Sequence, residues 1–124
     1  MVQQKSILYI DDQVNQLSFK ALFRRKFPIF TTEGLVEAKL ILSQHPVGMV
    51  LFNQHLPYIA TFEFLQWLRN YDEQIIRIFV YSNGYSAEFR DHYPGLIHQY
   101  LWKPWKTEEM ESVLLQCYSF KNNP

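Results

Sequence analysis

The stretch VLFNQHLPY (50–58) decides how this chain reads. It continues an apolar run that begins at residue 47, VGMVLF (47–52), and breaks at Asn53, with Pro57 four residues later. A run without polar alternation is what a strand buried on both faces looks like, and such strands sit in the middle of parallel sheets. Open parallel sheets bind their ligands at the carboxyl ends of the strands. Asn53 is therefore a candidate site residue, and the question is why an amide stands there and not a carboxylate.

Working outward, short apolar runs alternate with segments of helical period. SILYI (6–10) reads as a first buried strand. Val14, Leu17, Ala21 and Leu22 then recur at helical spacing, with Arg24, Arg25 and Lys26 where cations suit a helix C-terminus. Pro28 stops that helix, and IFTT (29–32) is a short second strand. A helix over 34–45 places Leu35, Ala38 and Leu42 on one face and ends at Pro46. After the third strand, 61–71 is helical with Leu65 and Leu68 as core contacts. IIRIFVY (75–81) is a fourth strand, 86–93 a short helix ended by Pro94-Gly95, and LIHQYLW (96–102) a fifth strand. Thr107 can N-cap a last helix, with Glu108 and Glu109 in its first turn. Met110, Val113, Leu114 and Cys117 form its apolar stripe.

Five strand–helix repeats with short connections and right-handed crossovers give an α/β fold: a doubly wound (βα)5 parallel sheet with helices on both faces. The whole of 1–124 reads as a single domain, and the polar tail KNNP (121–124) could begin a linker. Lys plus Arg is 12 and Asp plus Glu is 12, so the net charge is zero. That balance argues against non-specific nucleic-acid binding, which needs excess positive charge. The single cysteine, Cys117, cannot form an internal disulfide, which suits a cytoplasmic setting. No signal peptide is evident, and no window approaches the roughly 20 apolar residues of a membrane-spanning helix.

The strand ends supply the chemistry. Strand one delivers Asp11 and Asp12, strand three Asn53, strand four Ser82, and strand five Lys103 followed by Pro104. Adjacent carboxylates repel, and a hard cation such as Mg2+ takes one or two carboxylates together with water and phosphate oxygens. Lys103 and Ser82 could meet an anion. Each residue has a plainer reading: Asp12 as a helix cap, Ser82 as part of a turn with Asn83-Gly84, Lys103 as a solvated lysine. Their joint placement at four strand ends outweighs those readings and resembles a phosphoryl-transfer site without its nucleophile.

In ILYIDD (7–12), VLFNQHLP (50–57), VYS (80–82) and YLWKP (100–104) the chain resembles the receiver domains of bacterial two-component response regulators, over essentially its full length. The resemblance implies strand order 2-1-3-4-5. It implies that Asn53 stands where the family has the aspartate that accepts a phosphoryl group from a histidine kinase. Asp11 and Asp12 match the pair that holds Mg2+ with that aspartate, and His55 the residue whose backbone carbonyl also reaches the metal. Ser82 matches a phosphoryl contact, Lys103 the lysine that pairs with phosphoryl oxygens, Pro104 a proline usually preceded by a cis bond, and Tyr100 an aromatic that moves on activation.

An amide is a far poorer nucleophile than a carboxylate, so no acyl phosphate is expected at Asn53. The lost negative charge should weaken Mg2+ binding, and the new NH2 could donate to Asp11 or Asp12. Thr61 also departs from the family, which commonly has glycine there; a β-branched residue tolerates positive φ poorly, so this loop should be rearranged. Ala60 departs as well. The expectation is a pseudo-receiver that signals through protein contacts without aspartate phosphorylation. The alternatives are an engineered Asp-to-Asn change in a phosphorylatable receiver, or another acceptor such as Asp12 or His55. The start at Met1, shortly before strand one, favours a receiver that is N-terminal in its protein or stands alone.

The expected partners are a histidine kinase or an output domain or protein. Tyr85, Phe89, Tyr93, Tyr100, Trp102 and Trp105 make the region from the fourth predicted helix to the fifth unusually aromatic, and Tyr and Trp favour interfaces. In the family the face made by the fourth helix, fifth strand and fifth helix often mediates dimerisation or output, so a homodimer there is a candidate contact unless the rings are core. Catalysis in its own right finds no support. A flavodoxin-like flavin or small-ligand protein would need a phosphate-cradling loop where Asp11-Asp12 stand. The chain also lacks G-x-G-x-x-G, a Walker loop and a G-x-S-x-G elbow.

Overall fold

The structure, a computed structural model, describes residues 5–53, 55–81, 93, 95–102 and 106–122, with residues 102 and 116–122 described through their backbone. The elements are β1 (Ser6–Ile10), α1 (Gln13–Phe23), β2 (Ile29–Thr32), α2 (Leu35–Gln44), β3 (Val47–Asn53), α3 (Tyr58–Tyr71), β4 (Ile76–Tyr81), β5 (Gln99–Trp102) and α4 (Thr107–Asn122). The five strands form one sheet in the order β2-β1-β3-β4-β5, and all four pairings are parallel. Of the helix expected over 86–93, residues 86–92 lie outside the described residues.

Strand alternation splits the core in two. On one face Leu8, Ile10, Val50, Phe52 and Phe79 pack against Ala38 and Leu42 of α2 and Phe64, Leu65 and Leu68 of α3. On the other, Ile7, Tyr9, Met49, Leu51, Ile78 and Val80 pack against Phe19 and Phe23 of α1 and Met110 and Leu114 of α4. The apolar runs of β1, β3 and β4 thus bury side chains on both sides, which is why they carry no polar alternation.

The β1–β3 register shifts where Ser6 pairs with Val47 but Ile7 pairs with Met49, leaving Gly48 as an extra residue. A Cβ on Gly48 would stand 3.0 Å from the Cβ of Lys5, so glycine lets the strands close over this bulge. One extra residue turns every later side chain to the opposite face. Val47 accordingly joins one core and Met49 the other, and beyond the bulge Ile10 pairs with Phe52. The next residues along the two strands are Asp11 and Asn53.

Three local expectations change. In α1, Val14, Leu17 and Leu22 are exposed, and Phe19 and Phe23 face the sheet. Phe19 and Phe23 are an i, i+4 pair, and their rings bury far more apolar surface than the stripe begun by Val14. Helix α3 starts at Tyr58, earlier than expected, with Thr61 buried inside it and its N–H donating to the Pro57 carbonyl. Among the described residues no non-glycine has positive φ, so the segment accommodates Thr61 as helix. In α4, the Met110 N–H donates to the Lys106 carbonyl, so Lys106 holds the capping position and Thr107 is the first helical residue. Met110 and Leu114 are buried as expected; the Cys117 side chain lies outside the described residues.

Candidate functional site

The carboxyl ends of β1 and β3 meet at Asp11, whose carboxylate is only 2% exposed. A buried ionised carboxylate is costly unless hydrogen-bonded. Asp11 meets that condition with donors from β1, β3 and α1. Tyr9 Oη donates to Oδ2 at 2.6 Å. The Asp12 backbone N–H donates to Oδ1 at 2.8 Å, Asn53 Nδ2 donates to Oδ1 at 2.7 Å, and Asn15 Nδ2 approaches the same oxygen at 3.3 Å.

Tyr9 and Asp11 are two apart on one strand and so share a face, with the phenol lying beneath the carboxylate. The ring is itself buried, 4.5 Å centroid to centroid from Phe19. Burial above all, and then the bond to Asp11, pushes the Tyr9 hydroxyl well above the ordinary tyrosine range, so it stays a donor.

Asp12 behaves differently. It is exposed and N-caps α1, its Oδ1 accepting from the Asn15 N–H at 2.9 Å. Such a cap stabilises a helix by about 1 kcal/mol. The Gln16 side chain adds a bond to the Asp11 carbonyl at 2.7 Å. Together these contacts fix the start of α1 against the strand end and turn the Asn15–Phe19–Phe23 side of the helix inward.

Asn53 is 7% exposed, and its two polar atoms have distinct partners. Its Oδ1 accepts from the His55 backbone N–H at 2.7 Å. Its Nδ2 faces Asp11 and also lies 3.5 Å from the Ile10 carbonyl. The His55 N–H can only donate, so this is the amide orientation that pairs both ends. The His55 side chain is exposed.

Mg2+ takes oxygen ligands in a near-octahedral set. Toward Asp11, Asn53 offers N–H and turns its oxygen to His55, and Asp11 already accepts from four donors. Among the described residues no group of three or more His, Cys, Asp or Glu side chains could hold a metal ion. The donor set does not fit a divalent cation at Asp11.

Of the other expected site residues, Tyr100 is half-buried on β5, its ring edge-on to Phe79 and Tyr81. Tyr93, expected among interface aromatics, is 3% exposed and packs against Phe52, Phe79, Tyr58 and Phe62. It is core, because the space between β3, β4 and the start of α3 needs a large ring to fill it. Ser82, Tyr85, Phe89, Lys103, Pro104, Trp105 and the side chain of Trp102 lie outside the described residues. Tyr9 and Asn15 were not among the expected site residues; Tyr-x-Asp on a strand and Asp-x-x-x-Asn entering a helix are the spacings that bring them to Asp11.

Known proteins place this architecture. The receiver domain of an HD domain-containing protein from Pseudomonas fluorescens Pf-5 superposes with a TM-score of 0.84 at 20% identity, over 96% of this chain and 98% of that one. The fold is that of a receiver domain. The receiver domain of sensor histidine kinase PA1611 from Pseudomonas aeruginosa PAO1, solved with a magnesium ion in its active-site cleft, gives a TM-score of 0.79 at 18% identity, over 94% and 99% of the two chains. In sequence, the hydrogenase transcriptional regulatory protein HoxA of Cupriavidus necator is 28% identical over 120 residues, which are 93% of this chain and 24% of that protein. The chain thus spans about a quarter of that relative's length. No family model matches the chain. Among the described residues no helix of this receiver fold is long and apolar enough to cross a membrane.

Proposed function

We propose that the chain is a receiver domain of two-component signalling that works as a pseudo-receiver, passing a signal through protein–protein contacts without a phosphoryl group at the end of β3. The observation that carries this reading is the bond from Asn53 Nδ2 to Asp11 Oδ1 at 2.7 Å, on a receiver fold. The atom aimed at the neighbouring carboxylate is a donor, and its lone pair is delocalised into the amide carbonyl, which makes it a poor nucleophile toward phosphorus. The domain has no catalysis of its own in this reading. Mg2+, which the PA1611 receiver domain coordinates in its cleft, binds weakly or not at all here.

The partners are a histidine kinase or an output domain. HoxA, by its name a transcriptional regulator four times the length matched, supports an output domain acting on transcription. Such partners would place the domain in the cytoplasm. A homodimer through the fourth predicted helix (86–93), β5 and α4 is the other contact that the resemblance suggests.

Incubation with acetyl phosphate and Mg2+, followed by intact mass and tryptophan fluorescence, tests the proposal. An unchanged mass and unchanged fluorescence are expected. A gain of one phosphoryl group would overturn it, and mapping that group to Asp12 or His55, both exposed, would name a different acceptor.

A further inference from the structure

Asp11 sits under constraint from two directions. From below, Tyr9 donates to Oδ2 at 2.6 Å and cannot swing aside, because its ring is 1% exposed and wedged against Phe19. From across the sheet, Asn53 donates to Oδ1 at 2.7 Å and cannot turn over, because its oxygen already accepts from the His55 N–H at 2.7 Å. Turning it would set one donor against another and leave both unpaired. An ionised carboxylate offers roughly four lone-pair positions, and Asn15 and the Asp12 N–H take part as well.

We propose that Tyr9 and Asn53 together form a cation-free lock on Asp11, in which an O–H and an N–H do the work that a divalent cation would do and hold the ends of β1 and β3 together. Asn53 is half of the lock. Tyr9 is the other half, a positioning residue that keeps Asp11 engaged even when residue 53 is a carboxylate. This deepens the pseudo-receiver reading and rests on it only in naming Mg2+ as the cation displaced. An Asn53→Asp change alone therefore does not recreate a full-strength metal site; it takes Tyr9→Phe as well.

The test is a Mg2+ titration of four proteins: the wild type, Asn53→Asp, Tyr9→Phe and the double variant. Each is followed by calorimetry and by the thermal midpoint in EDTA and in MgCl2. The wild type should show no binding heat and one midpoint in both buffers. Asn53→Asp should bind Mg2+ weakly, and the double variant about tenfold more tightly, the scale on which outer partners tune metal affinity. Saturable Mg2+ binding by the wild type, or a double variant that binds no better than Asn53→Asp, would overturn the lock.

Should Tyr9→Phe fail to fold, the wild type alone decides. Its Asn53 side-chain NH2 resonances should be unmoved by Mg2+, and a saturable shift would overturn the proposal. Mg2+ binding without any mass gain from acetyl phosphate would sink the lock and leave the pseudo-receiver reading standing. A mass gain without Mg2+ binding would do the reverse.

Discussion

Asn53 Nδ2 lies 2.7 Å from Asp11 Oδ1, and this one bond ties the end of β3 to the end of β1 at the middle of the sheet. An amide and a carboxylate at that distance attract; two carboxylates would not. Asn53→Asp swaps a donor for a second negative charge with almost no change in shape. At an effective dielectric near 20 the repulsion and the lost bond together should cost about 3 kcal/mol at neutral pH without Mg2+. Close like charges raise one carboxyl's folded-state pKa above its unfolded value, so the deficit should shrink as pH falls and the pair shares a proton. Urea unfolding of the variant in EDTA at neutral and mildly acidic pH measures both. A deficit that does not change with pH would contradict the argument.

Helix α1 offers a sharper check on packing. Phe19→Ala should cost about 3–5 kcal/mol, since the ring is fully buried against Tyr9 and Phe23. Val14→Ser and Leu17→Ser, on the opposite side and mostly exposed, should each stay within about 0.5 kcal/mol of wild type. Urea midpoints of the three variants compare them directly. The reverse ranking would mean that α1 is rotated from the position described.

That helix also marks where the sequence was ambiguous. Val14, Leu17 and Ala21 repeat as regularly as Asn15, Phe19 and Phe23, so period alone could not say which side faces the sheet. The choice falls to ring size, to Tyr9 beneath Phe19, and to the bonds from Asn15 and Gln16 to Asp11. The strands and their ends were legible, because unbroken apolar runs stopping at Asp11 and Asn53 have few other readings. Tyr9 was harder to see as part of the site, since a tyrosine inside an apolar strand looks like core, and it is core except for its hydroxyl. Thr61 stands where the resemblance expects a glycine in a loop; α3 begins at Tyr58, so Thr61 lies inside the helix, where an ordinary backbone suits a β-branched side chain.

Near the amino-terminal end of β4, away from Asp11 and Asn53, the sheet carries a buried cation. Arg77 on β4 is 4% exposed, and its guanidinium donates to the carbonyls of Leu96 at 2.6 Å and Ile75 at 3.2 Å. Burial, with Arg69 nearby, lowers its pKa, though an arginine keeps its charge in any accessible range. The same residue's backbone N–H donates to His98 Nδ1 at 2.9 Å, which fixes the approach to β5. Arg77→Met keeps the apolar stem and removes both carbonyl bonds. It should destabilise by about 2 kcal/mol, because buried acceptors lose their donors. Slower amide exchange, or unchanged exchange, at residues 96–98 in that variant would show that the guanidinium does not anchor this segment.

Alkaline pH probes the buried phenols. Burial pushes the Tyr93 hydroxyl up to about 12, and the Tyr9 hydroxyl is raised further in the same direction. An unfolded tyrosine ionises near 10. Below that pH both states hold the proton and these groups add no pH dependence. Above it the unfolded chain releases protons that the folded chain keeps, so stability should fall as pH rises from about 10 toward 12, by at most about 1.4 kcal/mol per pH unit for each phenol. Urea midpoints measured from neutral pH to this range should be flat and then decline. Tyr93→Phe should lessen the decline and leave the flat region's shape unchanged. A decline that is equally steep in the variant would assign the alkaline sensitivity to other groups and remove Tyr93 from the account.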